Sequence, residues 1–298
     1  MGFEGDAAGV EFAEVPVGEP GCGPYGVAAG VDGEVWCTEV HQGRVGRLGP
    51  DGDYLGFQVG PVDSRPTVIV AGPDEAMWFS LYQGNRIGRI GFDGSVRGFG
   101  VPGANPYGLA VGPDSALWFT AMNTDRVGRI TADGTITEFD LPTPGGFPSM
   151  ITTGPDGALW FTLNQANAIG RITPRGTVRT FPLPTANAAP VGITADADSL
   201  WFVEIGAGQI GRITPEGDIV EHPLPDRSAR PHAITAAPDG SCYFTEWAAG
   251  RVGRITPDGT ISTCALPHRN SEPHGLTVTP DGILWTALES GSLAWAKI

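Results

Sequence analysis

Two carboxylates and an imidazole near the C-terminus form the most reactive combination of side chains in the sequence. The motif Glu272-Pro273-His274 is followed by a further acid, Glu289. Carboxylate oxygens are preferred ligands of Mg²⁺, which also keeps several water molecules. An imidazole beside them can act as a general base, because its reference pKa of about 6.5 lies close to neutral pH. The trio therefore predicts a magnesium site with a proton-accepting group next to it.

These residues stand out against a repeat that fills the rest of the chain. A proline recurs about every 41 residues, and an aromatic residue follows each proline at a nearly constant distance. The prolines are Pro24, Pro66, Pro106, Pro148, Pro190, Pro231 and Pro273, and the aromatic residues are Trp36, Trp78, Trp118, Trp160, Trp201, Tyr243 and Trp285. A Gly-Arg-Ile or Gly-Arg-Leu segment follows in every unit but the last. The chain is therefore built from seven similar units.

Each unit contains four strand-like runs separated by turn sequences. In the fourth unit the runs are 151–153, 159–162, 168–173 and 177–181, and a Gly-Pro-Asp-Gly turn separates the first two. Seven such units predict an all-β fold, a seven-bladed β-propeller with four antiparallel strands per blade, as a single domain over residues 1–298. The last unit lacks a fourth strand, whereas residues 10–16 resemble the fourth strands elsewhere. We expect this N-terminal strand to complete the seventh blade and remove an open sheet edge.

In such a propeller the residues that flank each proline surround the mouth of the central channel, where loops from all blades converge. The residues after the prolines are Tyr25, Thr67, Tyr107, Ser149, Val191, His232 and His274, and those before them are Gly23, Arg65, Asn105, Phe147, Ala189, Arg230 and Glu272. His232 and His274 are thus equivalent residues on neighbouring blades. Because they do not recur in the other units, we expect a functional site here. Tyr25 and Tyr107 either stack on a ligand or only pack.

Other polar residues recur and are expected to be structural. Glu39, Glu204 and Glu246 share the position three residues after the blade aromatic, and we expect them to hydrogen-bond neighbouring blades. The arginines of the Gly-Arg-Ile segments are expected to pair with acids across blades, and the blade aromatics to fill the core between sheets. Glu289 lies one position beyond the recurring acids, which marks it as a site residue.

Composition excludes several classes of partner. The chain of 298 residues carries 18 basic and 33 acidic side chains, a net charge of −15, so a basic nucleic-acid-binding face is not expected. No apolar run approaches the roughly 20 residues of a membrane span. The segment 1–6 lacks the pattern of a secretory signal, and the four cysteines lack the CxxC spacing of a zinc site. These features predict a cytoplasmic protein without membrane or nucleic-acid partners, and a closed propeller predicts a monomer.

Three motifs within the repeat are more specific than the repeat itself. They are Gly23-Pro24-Tyr25-Gly26, Arg230-Pro231-His232-Ala233 and Glu272-Pro273-His274-Gly275, and they occur among Leu-Trp-Phe-Thr and Ile-Gly-Arg-Ile-Thr segments. Together they resemble the virginiamycin B lyase family, also called streptogramin B lyases. The resemblance covers essentially the whole chain. The last unit departs from the family pattern, since its third strand has lost Gly-Arg-Ile.

The resemblance implies a magnesium-dependent carbon–oxygen lyase. Such an enzyme linearises type B streptogramins, which are cyclic depsipeptide antibiotics, by elimination at the ester linkage without added water, and so gives antibiotic resistance. By position in the motifs, the resemblance implies His274 as the general base, Glu272 and Glu289 as Mg²⁺ ligands, and His232 and Tyr25 as substrate-binding residues. The implied partner is a small cyclic depsipeptide.

Two other functions remain open for the same residues. A metal-dependent esterase or lactonase would open a cyclic ester with water, and a non-catalytic propeller would bind a peptide or protein across the same face. The paired histidines and non-recurring acids favour an enzyme over a scaffold. The sequence contains no Gly-x-Ser-x-Gly motif, which makes a covalent hydrolase less attractive.

Overall fold

Six of the sequence repeats each fold into one four-stranded antiparallel sheet, and the seventh forms such a sheet together with the N-terminal strand, as predicted. The computed structural model describes residues 10–31 and 33–298, and seven such sheets form a ring. The innermost strand of each blade begins at the repeated proline. These strands, numbered in chain order, are β2 (Pro24–Ala29), β6 (Pro66–Ala71), β10 (Pro106–Val111), β14 (Pro148–Thr153), β18 (Pro190–Ala195), β22 (Pro231–Ala236) and β26 (Pro273–Val278).

The next two strands of each blade carry the repeated aromatic residue and the Gly-Arg-Ile segment. The second strands are β3 (Val35–Glu39), β7 (Ala76–Leu81), β11 (Leu117–Ala121), β15 (Leu159–Leu163), β19 (Leu200–Glu204), β23 (Cys242–Glu246) and β27 (Ile283–Leu288). The third strands are β4 (Arg44–Leu48), β8 (Arg86–Gly91), β12 (Arg126–Ile130), β16 (Ala168–Ile172), β20 (Gln209–Ile213), β24 (Arg251–Ile255) and β28 (Ser292–Lys297).

The outer strands complete the blades, and the N-terminal one closes the ring. They are β5 (Tyr54–Gln58), β9 (Val96–Gly100), β13 (Ile136–Asp140), β17 (Val178–Pro182), β21 (Ile219–Pro223), β25 (Ile261–Ala265) and β1 (Ala13–Pro16). Strand β1 pairs with β28 from Ala13 opposite Trp295 to Pro16 opposite Ser292. Innermost strands β2 and β26 also touch. The predicted closure by the N-terminal strand is therefore confirmed.

Helical structure in the described part of the chain is limited to two short 3₁₀ turns, Val62–Ser64 and Trp247–Ala249. Over residues 10–31 and 33–298, no helix is long and apolar enough to cross a membrane. The segment 1–6, on which the expectation about a secretory signal depends, lies outside the described residues.

Six of the seven blade aromatics are buried between sheets, as expected, and Trp285 is half-buried, but the pairing of the repeated arginines was predicted wrongly. In blade 4, Trp160 Nε1 donates to Asp156 Oδ1 at 2.9 Å, and Arg171 Nε donates to Asp156 Oδ2 at 2.6 Å. Asp156 belongs to the turn before the second strand, so all three residues lie in one blade. Because Trp160 lies directly opposite Arg171 in the sheet, an acid in this turn reaches both side chains. In five of the six blades that carry this arginine, its acid partner thus lies in the same blade, and in blade 5 Arg212 donates to Ser199 Oγ of its own blade instead.

Candidate active site

The backbone repeats the same irregularity at the channel mouth in every blade. The pairing of each innermost strand with its neighbour shifts register just after the proline, as between Pro273 and Leu276 in blade 7. Such a bulge re-aims the side chain that it contains. The residue before each proline has a φ between 47° and 65°, which turns the chain into the strand. This backbone geometry places the residues directly before and after each proline at the mouth of the channel.

A second column of side chains joins the mouth from the loop after each second strand. We call it the loop column; its members are Val40, Tyr82, Met122, Asn164, Ile205, Trp247 and Glu289. In every blade except blade 5 the backbone N–H of this residue donates to the carbonyl of the residue before the proline, and in blade 7 Glu289 N lies 3.2 Å from Glu272 O. Glu289 and Glu272 are therefore neighbours along the mouth.

Hydroxyl groups on the second strands hold the innermost strand of the next blade. Thr245 Oγ1 in blade 6 donates to the carbonyl of His274 in blade 7 at 3.0 Å and accepts from the backbone N–H of Ala233 at 3.0 Å. Thr162 makes the same pair of bonds, to Val191 O and from Met150 N. The position of His274 is thus fixed by a contact that the propeller uses elsewhere.

Four aromatic rings meet at the mouth. Tyr25 stacks on His274 with 4.3 Å between ring centroids, and His232 meets His274 edge-on at 4.9 Å. The Tyr25 hydroxyl lies 2.8 Å from the Tyr107 hydroxyl and 3.4 Å from His232 Nε2. The structure therefore brings together the base and both substrate-binding residues that the sequence predicts, although their roles stay predictions. Tyr107, left ambiguous by the sequence, is part of the same hydrogen-bonded group.

Glu289 connects two histidines from different blades. Its Oε2 lies 2.5 Å from His274 Nε2, and its Oε1 lies 3.0 Å from His41 Nε2. The hydrogen bond with His274 lowers the pKa of Glu289 despite partial burial, so the carboxylate is ionised and accepts both bonds. A neutral His274 that donates from Nε2 carries its lone pair on Nδ1. Nδ1 is buried and, among the described residues, has no hydrogen-bond partner.

His232, Tyr25 and Tyr107 are neutral at the mouth. Burial, followed by the neighbouring His274 imidazole, lowers the pKa of His232 to about 3. Burial raises the pKa of Tyr107 to about 12 and that of Tyr25 well above its usual range. These side chains are therefore hydrogen-bonding groups without charge at neutral pH, and His232 cannot act there as a cation.

Trp247 and Tyr82, two aromatic side chains at the mouth, were not predicted from the sequence. The Trp247 ring lies 6.5 Å from His274, and the Arg230 guanidinium lies 6.0 Å from the Trp247 ring. Trp247 Nε1 is buried and has no partner within the described part of the chain. Tyr82 meets Tyr107 edge-on at 6.3 Å. Both belong to the loop column of Glu289, so a comparison of that column across all seven repeats would have found them.

The acids in the recurring column bond within their own blades, which corrects the expectation of contacts to neighbouring blades. Tyr54 donates to Glu39 Oε1 at 2.5 Å, Gln209 to Glu204 Oε2 at 2.6 Å, and Arg251 to Glu246 Oε2 at 2.6 Å. All three carboxylates are buried. Their partners lie on the third or outer strand of the same sheet, and Gln209 and Arg251 lie directly opposite Glu204 and Glu246 in the strand pairing.

The predicted magnesium ligands offer two carboxylates and no larger cluster. Over residues 10–31 and 33–298, no group of three or more His, Cys, Asp or Glu side chains could hold a metal ion. The carboxylate of Glu272 is exposed, and the described residues give it no hydrogen bond or ion pair. Glu289 accepts one bond on each oxygen, which leaves further acceptor capacity. This donor set fits a largely hydrated Mg²⁺, which needs only one or two carboxylates.

Below the mouth the central channel forms a cavity of about 340 Å³. Tyr25, Tyr107 and His232 stand at its rim, and small or aliphatic residues of the innermost strands, such as Ala28, line it. The mouth thus places a polar, aromatic surface above an apolar cavity, a common arrangement in binding sites for organic molecules.

Fold and site define a seven-bladed propeller with an imidazole–carboxylate pair at one mouth of its channel. The sequence model described as the virginiamycin B lyase family matches residues 10–296. The chain belongs to the virginiamycin B lyase family.

Individual relatives agree with this assignment. A virginiamycin B lyase of Bordetella pertussis is 48% identical over 58 residues, a stretch that covers 20% of this chain and only 19% of that protein. A streptogramin B lyase structure is 42% identical, with a TM-score of 0.93 and 97% of both chains covered. A catalytically inactive histidine-to-alanine variant of the Staphylococcus aureus virginiamycin B lyase with quinupristin is 38% identical, with a TM-score of 0.93 and coverage of 97% of this chain and 99% of that one.

Proposed function

We propose that this protein is a lyase that linearises type B streptogramins, and so confers resistance to these antibiotics. The observation that carries the proposal is the His274–Glu289 pair with an unpartnered Nδ1 at the mouth of the channel. Family membership and the quinupristin complex of the Staphylococcus aureus relative support the substrate class.

The chemistry is an elimination across the ester that closes the antibiotic ring. A base removes the α-proton of the threonine residue, and the C–H electrons form the double bond between the α- and β-carbons. The bond from the β-carbon to the ester oxygen breaks, and the carboxylate leaves with that electron pair. No water is consumed, so the ring opens without a change of mass.

His274 takes the α-proton in this proposal. Glu289 accepts a hydrogen bond from the Nε2–H group, so it fixes the tautomer in which Nδ1 is basic, and the carboxylate stabilises the imidazolium that forms. Thr245 holds the His274 backbone from the neighbouring blade. The stacked Tyr25 ring restricts rotation of the imidazole. The base is therefore held on three sides before substrate binds.

The α-proton next to an amide carbonyl is too weakly acidic for imidazole alone. Glu272 and Glu289 would hold Mg²⁺, whose chemistry when bound is Lewis acidity toward a carbonyl oxygen beside the reacting carbon. Neutral hydrogen-bonding groups of His232 and Tyr25 would orient the depsipeptide, and the buried Trp247 Nε1 offers a further donor.

Mass spectrometry of the product tests this function. The purified protein is incubated with a type B streptogramin and Mg²⁺, with His274→Ala as the blank. We expect a linear product of unchanged mass with a new conjugated double bond. A product heavier by one water would instead show a lactonase, and no turnover with or without Mg²⁺ would indicate a non-catalytic binding protein.

A further inference from the structure

Blade 1 differs from the other six blades in the residue before the proline. The residue before the proline has a positive φ in all seven blades, yet six of them carry a side chain there. Only blade 1 has glycine, Gly23, with a φ of 65°. The backbone conformation therefore does not explain the glycine, because Ala189, for example, adopts a φ of 50° at the equivalent position.

The imidazole of His41 fills the space above Gly23. A Cβ atom at Gly23 would lie 2.3 Å from His41 Cδ2 and 2.8 Å from His41 Nε2, closer than such atoms can approach. The backbone N–H of His41 also donates to Cys22 O at 3.1 Å, which ties the loop to the segment that carries Gly23. Glycine at this position thus leaves room for one particular ring.

From this position above Gly23, the His41 side chain extends across the interface between blades 1 and 7. Its Nε2 donates to Glu289 Oε1 at 3.0 Å, while Glu289 Oε2 accepts from His274. A carboxylate that is held at both oxygens cannot rotate about its terminal bond without losing a hydrogen bond. If His41 were absent, Glu289 would be held at one oxygen only and could turn away from His274.

We propose that His41 is a positioning residue that fixes the Glu289 carboxylate against His274. We further propose that residue 23 is glycine because a larger residue would displace the His41 ring. The proposal deepens the proposed function, because it concerns the base of that same site. His41 acts through Glu289 and does not itself accept the α-proton.

Kinetics at one fixed pH test the role of His41. We expect His41→Ala and His41→Phe to lower kcat about 10-fold with little change in KM, the size of effect seen when a supporting hydrogen-bond partner is removed. His41→Gln keeps a donor and should recover most of the activity. A rise in KM with unchanged kcat would mean that His41 binds substrate, and would overturn the proposal.

A double-mutant cycle tests the link to Gly23. Gly23→Ala should displace the imidazole and lower kcat as His41→Ala does, and the double variant should be no worse than either single one. Arg65→Ala, in the same column of blade 2, controls for alanine at this backbone position and should leave kcat unchanged. Additive losses in the double variant would contradict a shared role for Gly23 and His41.

A measurement without substrate separates this inference from the proposed function. The NMR signal of the His274 Nε2 proton should shift or broaden in His41→Ala and Gly23→Ala, and remain in His41→Gln and Arg65→Ala. This result would support the positioning of Glu289 by His41 even if the protein did not act on streptogramins. An unchanged His274 signal in all variants would overturn it, whatever the kinetics.

Discussion

Blades 4 and 7 share a backbone but differ in what they carry at the channel mouth. In blade 4, Asn164 N donates to Phe147 O at 3.2 Å, and in blade 7 Glu289 N donates to Glu272 O at the same distance. Both blades have the bulge after the proline. A threonine of the preceding blade holds the carbonyl of Ser149 in blade 4, as Thr245 holds that of His274 in blade 7.

The outer half of the two blades differs as well. Blade 4 has the Trp160–Asp156–Arg171 group, whereas blade 7 places Trp295 opposite Trp285, where the other units have arginine. The sheet of blade 7 is completed by the N-terminal strand. The comparison shows that the repeat fixes the backbone, while three side-chain columns at the mouth are free to vary and can carry chemistry.

The two blades should differ most when the side chain of the residue after the proline is removed. His274→Ala removes the proposed base, so kcat should fall by at least the 10²–10⁴-fold typical of general-base removal. Ser149→Ala, at the equivalent position of blade 4, should leave turnover close to wild type. Steady-state kinetics measure both, and equal effects of the two substitutions would erase the distinction between the blades.

Removal of the metal should have the second-largest effect on turnover. Chelation with EDTA should abolish turnover and leave the Tm nearly unchanged, because seven packed sheets hold the fold. Added Mg²⁺ should restore activity, and Glu272→Gln should raise the Mg²⁺ concentration needed for half-maximal rate. Arg65→Gln, in the same column of blade 2, is the control and should not change that requirement. Full activity in metal-free protein would contradict a role for Glu272 as a ligand.

Removal of His232 should lower kcat/KM less than removal of His274 does, and the loss should be the same factor at each pH. His232→Ala should raise KM and lower kcat with some turnover remaining, since this side chain only orients substrate in our account. Because the pKa of His232 is about 3, its ring stays neutral from about pH 5 to 8, so the loss in kcat/KM should be constant over this range. A loss that grows at one end of the range would show that its charge matters.

The smallest effect concerns stability in blade 5. Burial raises the pKa of Glu204 from 4.5 to about 8, so the folded protein binds this proton more tightly than the unfolded chain does. The stabilisation is complete below the unfolded pKa and is lost as pH rises through the folded value. Glu204→Gln should therefore flatten the decline of Tm between about pH 4.5 and about pH 8. The exposed Glu216→Gln should not, and a similar change in both variants would argue against Glu204.

The ring and its closure were predictable because the blade aromatics and turns recur with little variation. The convergence of Tyr25, His232 and His274 was predictable for the same reason, since equivalent positions in a ring must meet at its centre. His41 was not, because its contact with Glu289 joins the first blade to the last and the residues lie far apart in sequence. Pairing of the arginines was misjudged because it depends on strand register, which composition does not reveal.

The central claim is that the side chains of blade 7 remove a proton and do not activate water. The most direct test uses a type B streptogramin deuterated at the threonine α-carbon, incubated with the wild-type protein in water enriched in heavy oxygen. Our account predicts a linear product that has lost the deuterium and gained no heavy oxygen, with slower turnover than for the undeuterated substrate. A product that keeps the deuterium and gains heavy oxygen would contradict it.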